Sequence, residues 1–191
     1  MNIGIPVEER RWHRLVPHGI LAGLCAGVTL GLVQFVISAA REEDAITPFR
    51  LVASLALGTD ALDDDVSTAL VIVVGTALHF ALAALFGVVF VVLLALTFQL
   101  SSRRWVLIGY GLLFGFLMWE VNFLAILPGL YPDLTDRIEF TGQIWKGIVA
   151  YTLIYGPTLA LYLAIRRPGV LADWKGRSAP RSEHARRTIR G

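Results

Sequence analysis

The sequence predicts an all-helical integral membrane protein, a bundle of four transmembrane helices with a short interfacial helix after the first span. Three observations support this fold class. The 191 residues are 55% hydrophobic and only 17% charged, whereas a soluble domain carries about a quarter charged residues. Four apolar stretches are long enough to cross about 30 Å of hydrocarbon at about 1.5 Å per residue. Basic residues are concentrated in the segments on one side of these stretches and acidic residues on the other.

The four predicted spans are residues 18–40, 66–98, 105–127 and 143–165. The second is longer than a crossing requires, which indicates a tilted helix or one that continues beyond the bilayer. The first resembles a secretory signal because arginines precede it. Its apolar run of about twenty residues exceeds the usual core of about 7–15, so we expect a retained helix.

Charge predicts the orientation of the bundle. Basic residues lie in segment 1–17, between the second and third spans, and in tail 166–191, while the other two loops are acidic. The positive-inside rule therefore places both termini in the cytoplasm, and we expect a multi-pass protein of a prokaryotic inner membrane. The basic tail suits anionic lipid headgroups. With a net charge of only +2, no nucleic-acid partner is expected.

A short helix is predicted over residues 48–57, in the loop between the first two spans. Thr47 suits its N-cap, Pro48 its first helical position and Gly58 its C-terminal stop. About ten residues cannot cross a bilayer, so this helix should lie in the outer interface or dip partway into the membrane.

Small residues recur at four-residue spacing or its multiples on three of the predicted spans. They are Gly23, Gly27 and Gly31 on the first, Gly75, Ala83 and Gly87 on the second, and Gly111 and Gly115 on the third. Small residues let neighbouring helices approach closely, so these positions are candidates for helix packing. We expect them to pack within this bundle; the alternative is a docking face for another subunit or a second copy. Pro157 is expected to kink the fourth span.

His79 is the best candidate for a cofactor ligand, to haem or chlorophyll. No second histidine is expected at its depth, however, and a lone intramembrane histidine more often forms a hydrogen bond between helices, so no cofactor is predicted. The single cysteine, Cys25, excludes disulfides and thiolate metal clusters within one chain. We interpret it as a small buried apolar residue.

Four polar residues are predicted to form one cluster in the outer half of the membrane: Gln34, His79, Glu120 and Lys146. Ionisable residues inside a span are costly and therefore functional candidates. If Lys146 pairs with Glu120, the cluster is a structural tie. If Lys146 reaches the interface instead, desolvation favours a neutral Glu120, a proton-exchanging acid beside His79.

No metal site, phosphate-binding loop or catalytic triad is visible in the sequence, and no catalytic residue is assigned. Three stretches, starting at Thr47, His79 and Met118, resemble small uncharacterised four-helix membrane proteins of bacteria and archaea. That resemblance implies no activity. We therefore expect a non-catalytic accessory or assembly subunit of a larger membrane complex, for example a respiratory or photosynthetic one. The alternatives are a small transporter with a polar path through Glu120 and His79, or a lipid-acting membrane enzyme.

Overall fold

A computed structural model of the chain describes residues 7–40, 46–63, 65–97, 104–130, 132–133 and 140–166. The predicted basic tail beyond residue 166 lies outside these residues. All regular structure in the described part is helical. The elements are α1 (Val7–Ala40), α2 (Thr47–Leu57), a 3-10 helix (Thr59–Leu62), α3 (Thr68–Thr97), α4 (Arg104–Glu120), a first π-helical segment (Val121–Ile126), α5 (Leu127–Leu130), α6 (Phe140–Val149), a second π-helical segment (Ala150–Tyr155) and α7 (Gly156–Arg166).

Four stretches of helix are long and apolar enough to cross a membrane: Leu15–Ala40, Thr68–Leu96, Arg104–Gly129 and Trp145–Ile165. Each lies within three residues of its predicted bounds, and we refer to them as spans 1 to 4. Their outward faces carry large exposed apolar side chains such as Leu32, Val73 and Leu96. The prediction of a helical bundle with four helices long and apolar enough to span a membrane is confirmed. Its orientation stays a prediction.

The short helix of the first loop is also present, as α2, with one correction at its start. The N-cap is Ile46 rather than Thr47, and no side chain caps the helix. Pro48 lies in the first turn, where its missing N–H costs no helical hydrogen bond. Gly58 ends the helix with φ at 82°, in the left-handed region that a glycine adopts without steric cost.

The helices pack as two pairs. The first pair is α1 against α3, with α2 lying on α3. The second pair is α4 against the second π segment and α7, and α1 joins the pairs by packing against span 4. A shared core fills the centre, with Phe90, Leu107 and Leu159 among its most buried residues. A smaller core lies between α2, the 3-10 helix and the start of α3.

Cys25 is exposed on α1, so its interpretation as a buried residue is wrong. The physical reason is its phase on the helix. Gly23 and Gly27 face α3, and Cys25 lies two residues from each, about 200° around an α-helix. Its side chain therefore points away from the packed face.

The second π segment lies just before Pro157, the residue at which the sequence predicts a kink. This segment ends two residues before the proline, and its closing bond runs from the Gly156 N–H to the Tyr151 carbonyl, five residues back. A proline removes one N–H and its ring clashes with the carbonyl four residues earlier. A wider turn at that point accommodates the ring.

Span 3 repeats this arrangement at a position that the sequence did not single out. The first π segment ends two residues before Pro128, and the Leu127 N–H bonds to the Asn122 carbonyl. The Asn122 amide in turn donates to the Met118 carbonyl, 2.6 Å away.

Candidate functional site

The site is built on the crossing of α1 and α3. A Cβ atom at Gly23 would lie 2.1 Å from the Ala83 carbonyl oxygen, and one at Gly87 would lie 2.2 Å from the Gly19 carbonyl oxygen. No larger residue fits at these points unless the backbones move apart. These small-residue faces are therefore in contact with each other, within one chain.

The two helices separate beyond this crossing, towards the end of the bundle that carries α2, which we call the α2 end. At Gly27 an added Cβ would meet the Ala83 Cβ at 2.7 Å, and at Gly31 it would meet only His79 Nε2, at 3.6 Å. Over two helical turns, the nearest neighbour of an added Cβ on α1 thus changes from a backbone oxygen to a side-chain carbon and then to a side-chain nitrogen at van der Waals distance. Space opens between α1 and α3 as a result.

A cavity of about 310 Å³ occupies this opening. α2 closes one side of it, because α2 packs on α3 so tightly that a Cβ at Gly75 would lie 2.5 Å from the Phe49 carbonyl oxygen. The walls come from α1, α2 and α3: Gly27, Val28, Gly31, Leu32, Gln34, Phe35, Pro48, Phe49, Val52, Gly75, Thr76, His79 and Phe80. The cavity is therefore mainly apolar, with three polar side chains in its walls.

His79 lies at the narrow end of the cavity and bonds across to α1. Its Nε2 donates to the Gly27 carbonyl oxygen over 3.0 Å, because a carbonyl can only accept. The ring also makes an edge contact with Phe80, with centroids 5.4 Å apart. In the neutral ring Nδ1 is then the hydrogen-bond acceptor. Axial ligation of haem or chlorophyll through Nε2 requires the bond to Gly27 to be broken.

The other two polar side chains, Gln34 and Thr76, form no hydrogen bond within the described part of the chain. Thr29 and Thr158 behave differently, since each hydroxyl bonds back to the carbonyl one turn earlier. Threonine in a helix commonly satisfies its hydroxyl in that way. The cavity wall therefore presents an unused hydroxyl and an unused amide.

Arg50 anchors α2 at the edge of this region, and sequence reasoning missed it. Its side chain is buried, and Nη1 donates to the carbonyl oxygens of Ala61, at 3.3 Å, and Asp63. These bonds fix the 3-10 helix against α2. The available signal was a single basic residue within an apolar helix of an otherwise acidic loop.

Spans 3 and 4 cross through similar contacts. A Cβ at Gly111 would lie 2.4 Å from the Gly156 carbonyl oxygen, and one at Gly115 would lie 2.0 Å from that of Tyr151. One turn beyond Gly115, Trp119 is 2% exposed and packs its indole against Gly147.

The indole of Trp119 continues into an aromatic row along the two π segments. It stacks on Phe123 with ring centroids 5.6 Å apart, and Phe123 in turn makes an edge contact with Tyr151 at 6.4 Å. The space between spans 3 and 4 is therefore filled by the chain's own aromatic rings.

The two helix pairs are joined at the Ala83 carbonyl. The buried Tyr155 hydroxyl, from span 4, donates to this oxygen over 2.9 Å. The same oxygen lies against Gly23 of α1. Three spans thus meet at one backbone atom, a junction that no sequence pattern indicated.

Of the four residues predicted to cluster, the cavity brings two together, Gln34 and His79. Glu120 is the half-buried last residue of α4, and Lys146 is half-buried in α6. Among the described residues, Glu120 forms no hydrogen bond or ion pair with His79 or Lys146. One cluster of all four residues stays a prediction.

Metal-binding groups and relatives add nothing to this description. Within the described residues, no three histidine, cysteine, aspartate or glutamate side chains come together as a metal site would require. The chain matches no protein-family model, no curated protein and no solved structure. The functional proposal therefore depends on the cavity and its polar groups.

Proposed function

We propose that the chain is a non-catalytic accessory subunit of a membrane complex, and that it works by holding a lipid-like molecule in the cavity between α1, α2 and α3. The cavity carries this proposal. Its volume of about 310 Å³ falls within the range of about 300–1,000 Å³ that small-molecule sites occupy, and such sites are mostly apolar with a few placed polar groups.

The surroundings of the cavity favour a lipid-like occupant. Leu32 and Phe35 belong to its wall and are also exposed on the outward face of α1, at 61% and 46%. If span 1 crosses a bilayer, this face contacts hydrocarbon. A molecule that enters past these two residues therefore arrives from the membrane.

Permeation and catalysis are less well supported by the same geometry. A path continuing past His79 would run into the crossing of α1 and α3, where Gly23 and Ala83 are in backbone contact. For catalysis, His79 would have to act as a general base beside a second polar group. Its Nε2 is already engaged with Gly27, which supports a role in binding.

The proposal includes an orientation. The acidic loops adjoin the α2 end and the basic segments the opposite end, so we place the α2 end outside a prokaryotic inner membrane. Reporters fused after Arg167 should then read cytoplasmic, and a reporter near Asp63 should read external. An external C-terminus would reverse the assignment.

The binding role is tested by blocking the cavity. Gly31→Leu places a side chain in the opening at a point where an added Cβ is tolerated. Gly109→Leu is the matched control, because nothing lies within 4 Å of a Cβ there. Protein purified in mild detergent should retain a lipid-like molecule by native mass spectrometry, as should the control, whereas Gly31→Leu should lose it. Equal retention in both variants would overturn the binding role.

The accessory role is tested in the same preparation. Mass spectrometry should find partner subunits with the wild-type chain, and a visible absorption spectrum reports any bound haem or pigment. A chain that purifies alone would contradict the accessory role and leave the binding role to be judged by the retained molecule.

A further inference from the structure

The chemistry of the cavity wall identifies the class of molecule that the proposed binding role requires. None of the thirteen wall residues carries a fixed charge at neutral pH. Ten are glycine, proline or hydrocarbon residues, and three can form hydrogen bonds: Gln34, Thr76 and His79. The wall therefore matches an apolar molecule with one uncharged polar group.

An anionic phospholipid headgroup does not fit this wall. A phosphate taken out of water needs a cation or several strong donors, because burial of an unpaired charge is very costly. Arg50 is the cation of α2, and its Nη1 is bonded to the carbonyl oxygens of Ala61 and Asp63. The α2 residues in the cavity wall are Pro48, Phe49 and Val52.

A hydrocarbon chain alone leaves part of the wall unused. Gln34 and Thr76 form no hydrogen bond within the described residues, and polar groups at membrane depth lose free energy when they have no partner. Thr76 and His79 are three residues apart on α3 and both belong to the cavity wall, and side chains at this spacing are neighbours on a helix face. Together they suit a group that both accepts and donates hydrogen bonds.

We infer that the cavity binds a lipid with a small uncharged oxygen-bearing headgroup, held by Gln34, Thr76 and His79, with its tail leaving past Leu32 and Phe35. Prenylated quinols and diacylglycerols share this chemistry. The ester carbonyl oxygens of a diacylglycerol, or the hydroxyl oxygens of a quinol, accept from the Gln34 amide and the Thr76 hydroxyl, and the hydroxyls of either lipid donate to His79 Nδ1. This inference rests on the proposed binding role and specifies its ligand.

The experiment reconstitutes the full chain in nanodiscs that contain a prenylated quinol, dioleoylglycerol or phosphatidylglycerol, and measures retention of each by native mass spectrometry. Thr76→Val removes the unused hydroxyl and keeps the branched shape. Thr29→Val is the control, since the Thr29 hydroxyl lies outside the cavity wall and is bonded to Cys25. His79→Gln retains a donor for Gly27 and replaces the ring acceptor Nδ1 with an amide oxygen at a different position. Retention of one of the two neutral lipids should fall about threefold to tenfold in Thr76→Val and in His79→Gln.

The outcomes separate this inference from the function on which it rests. Neutral-lipid retention that is unchanged in Thr76→Val and His79→Gln, but lost in Gly31→Leu, would mean that a hydrocarbon chain fills the cavity, and the inference would fail alone. Preferential retention of phosphatidylglycerol would also overturn it. If Gly31→Leu and Gly109→Leu retain every lipid equally, the binding role itself fails. The neutral lipid that is retained, the prenylated quinol or dioleoylglycerol, shows which of the two classes the cavity binds.

Discussion

One helix of each pair carries a series of residues at four-residue spacing, and the two series differ in residue type only at the third position. On α1 the series is Gly23, Gly27 and Gly31, and on α4 it is Gly111, Gly115 and Trp119, in each case four residues apart. In both pairs an added Cβ at either of the first two glycines would lie within 2.7 Å of an atom of the neighbouring helix. At the third position the second pair has an indole that packs against Gly147, whereas the first pair has a glycine beside a cavity.

This difference shows that the cavity is not a necessary result of the way the helices cross. Aromatic side chains fill the opening between spans 3 and 4. Side chains of the same size at the corresponding positions would fill the opening between α1 and α3. Instead, the first pair has Gly31 facing His79, with Thr76 and Gln34 nearby in the wall. The open space is therefore a property of particular residues, and substitutions can move it from one pair to the other.

Removing the Trp119 indole from between spans 3 and 4 should have the largest effect on the free energy of unfolding. Trp119→Ala gives α4 the small-residue series of α1 and removes a side chain that is 98% buried. Large-to-small changes of this kind cost about 3–5 kcal/mol in soluble cores. We expect about 3 kcal/mol in a bilayer, where the lost contacts are mainly van der Waals contacts.

The unfolding free energy in bicelles measures this effect. Trp105→Ala is the control, since Trp105 is 84% exposed. A loss below about 1 kcal/mol in Trp119→Ala would show that the second pair closes up without its indole, and the comparison between the pairs would lose its basis.

Placing a larger side chain at the crossing of α1 and α3 should have the second-largest effect on the free energy of unfolding. Gly87→Leu would push a side chain into the Gly19 carbonyl and the Gly23 backbone. Because backbone cannot rotate away, we expect a loss near the upper end of the usual range of about 1–3 kcal/mol for overpacking. Thermal unfolding in detergent, with Gly109→Leu as control, measures it. A variant as stable as the control would mean that α1 and α3 do not cross at this point.

Arg50→Met tests the anchoring of α2 to the first pair. The substitution keeps an apolar stem and removes charge-assisted hydrogen bonds of about 1.5–3 kcal/mol. Hydrogen exchange should speed up in the 3-10 helix (Thr59–Leu62), with spans 3 and 4 unchanged. Exposed Arg104 gives the matched control, Arg104→Met. Unchanged exchange in the 3-10 helix of Arg50→Met would show that α2 is held by its apolar face alone.

Tyr155→Phe should have a smaller effect on the junction between the pairs. Hydrogen bonds between membrane helices average about 0.6 kcal/mol and reach about 1.7, and the substitution removes only the bond to Ala83. Tyr162→Phe is the control, since the Tyr162 hydroxyl forms no hydrogen bond among the described residues. Equal stabilities of the two variants would argue against a junction at Ala83.

The smallest effect concerns Glu120 and Lys146. Because no ion pair joins them in the described part of the chain, the stability changes of Glu120→Gln and Lys146→Met should add to within about 0.5 kcal/mol in the double variant. A larger coupling would support the structural tie. Loss of a complex activity at normal stability would instead support a functional acid at Glu120.

Hydropathy and turn chemistry predicted the spans and α2 closely, because each signal lies within one stretch of sequence. Gly58 is an example, since a positive φ at a helix end favours glycine wherever it occurs. Thr47 shows the usual error at boundaries. It is a good capping residue by type, but α2 begins one residue earlier.

The partners of the packing faces were harder to predict. Spacing showed that Gly23 and His79 face a helix, yet a glycine gives no indication of which helix approaches it. The cavity depends on how fast α1 and α3 diverge, and the Tyr155 bond joins residues 72 positions apart. Neither feature leaves a periodic signal in the sequence. Of the two prolines that follow π segments, Pro128 and Pro157, only Pro157 was recognised as a break.

The Ala83 carbonyl also sets an order for assembly during biosynthesis. The crossing of α1 and α3 uses residues up to Val88, so all of its residues are present once α3 has been synthesised. Tyr155 is synthesised 58 residues after the end of α3 at Thr97, roughly 3 to 12 s later at about 5–20 residues per second. If the spans enter a bilayer in chain order, the first pair stands there without span 4 during that interval, and lipid can reach Ala83 from the side that span 4 later covers.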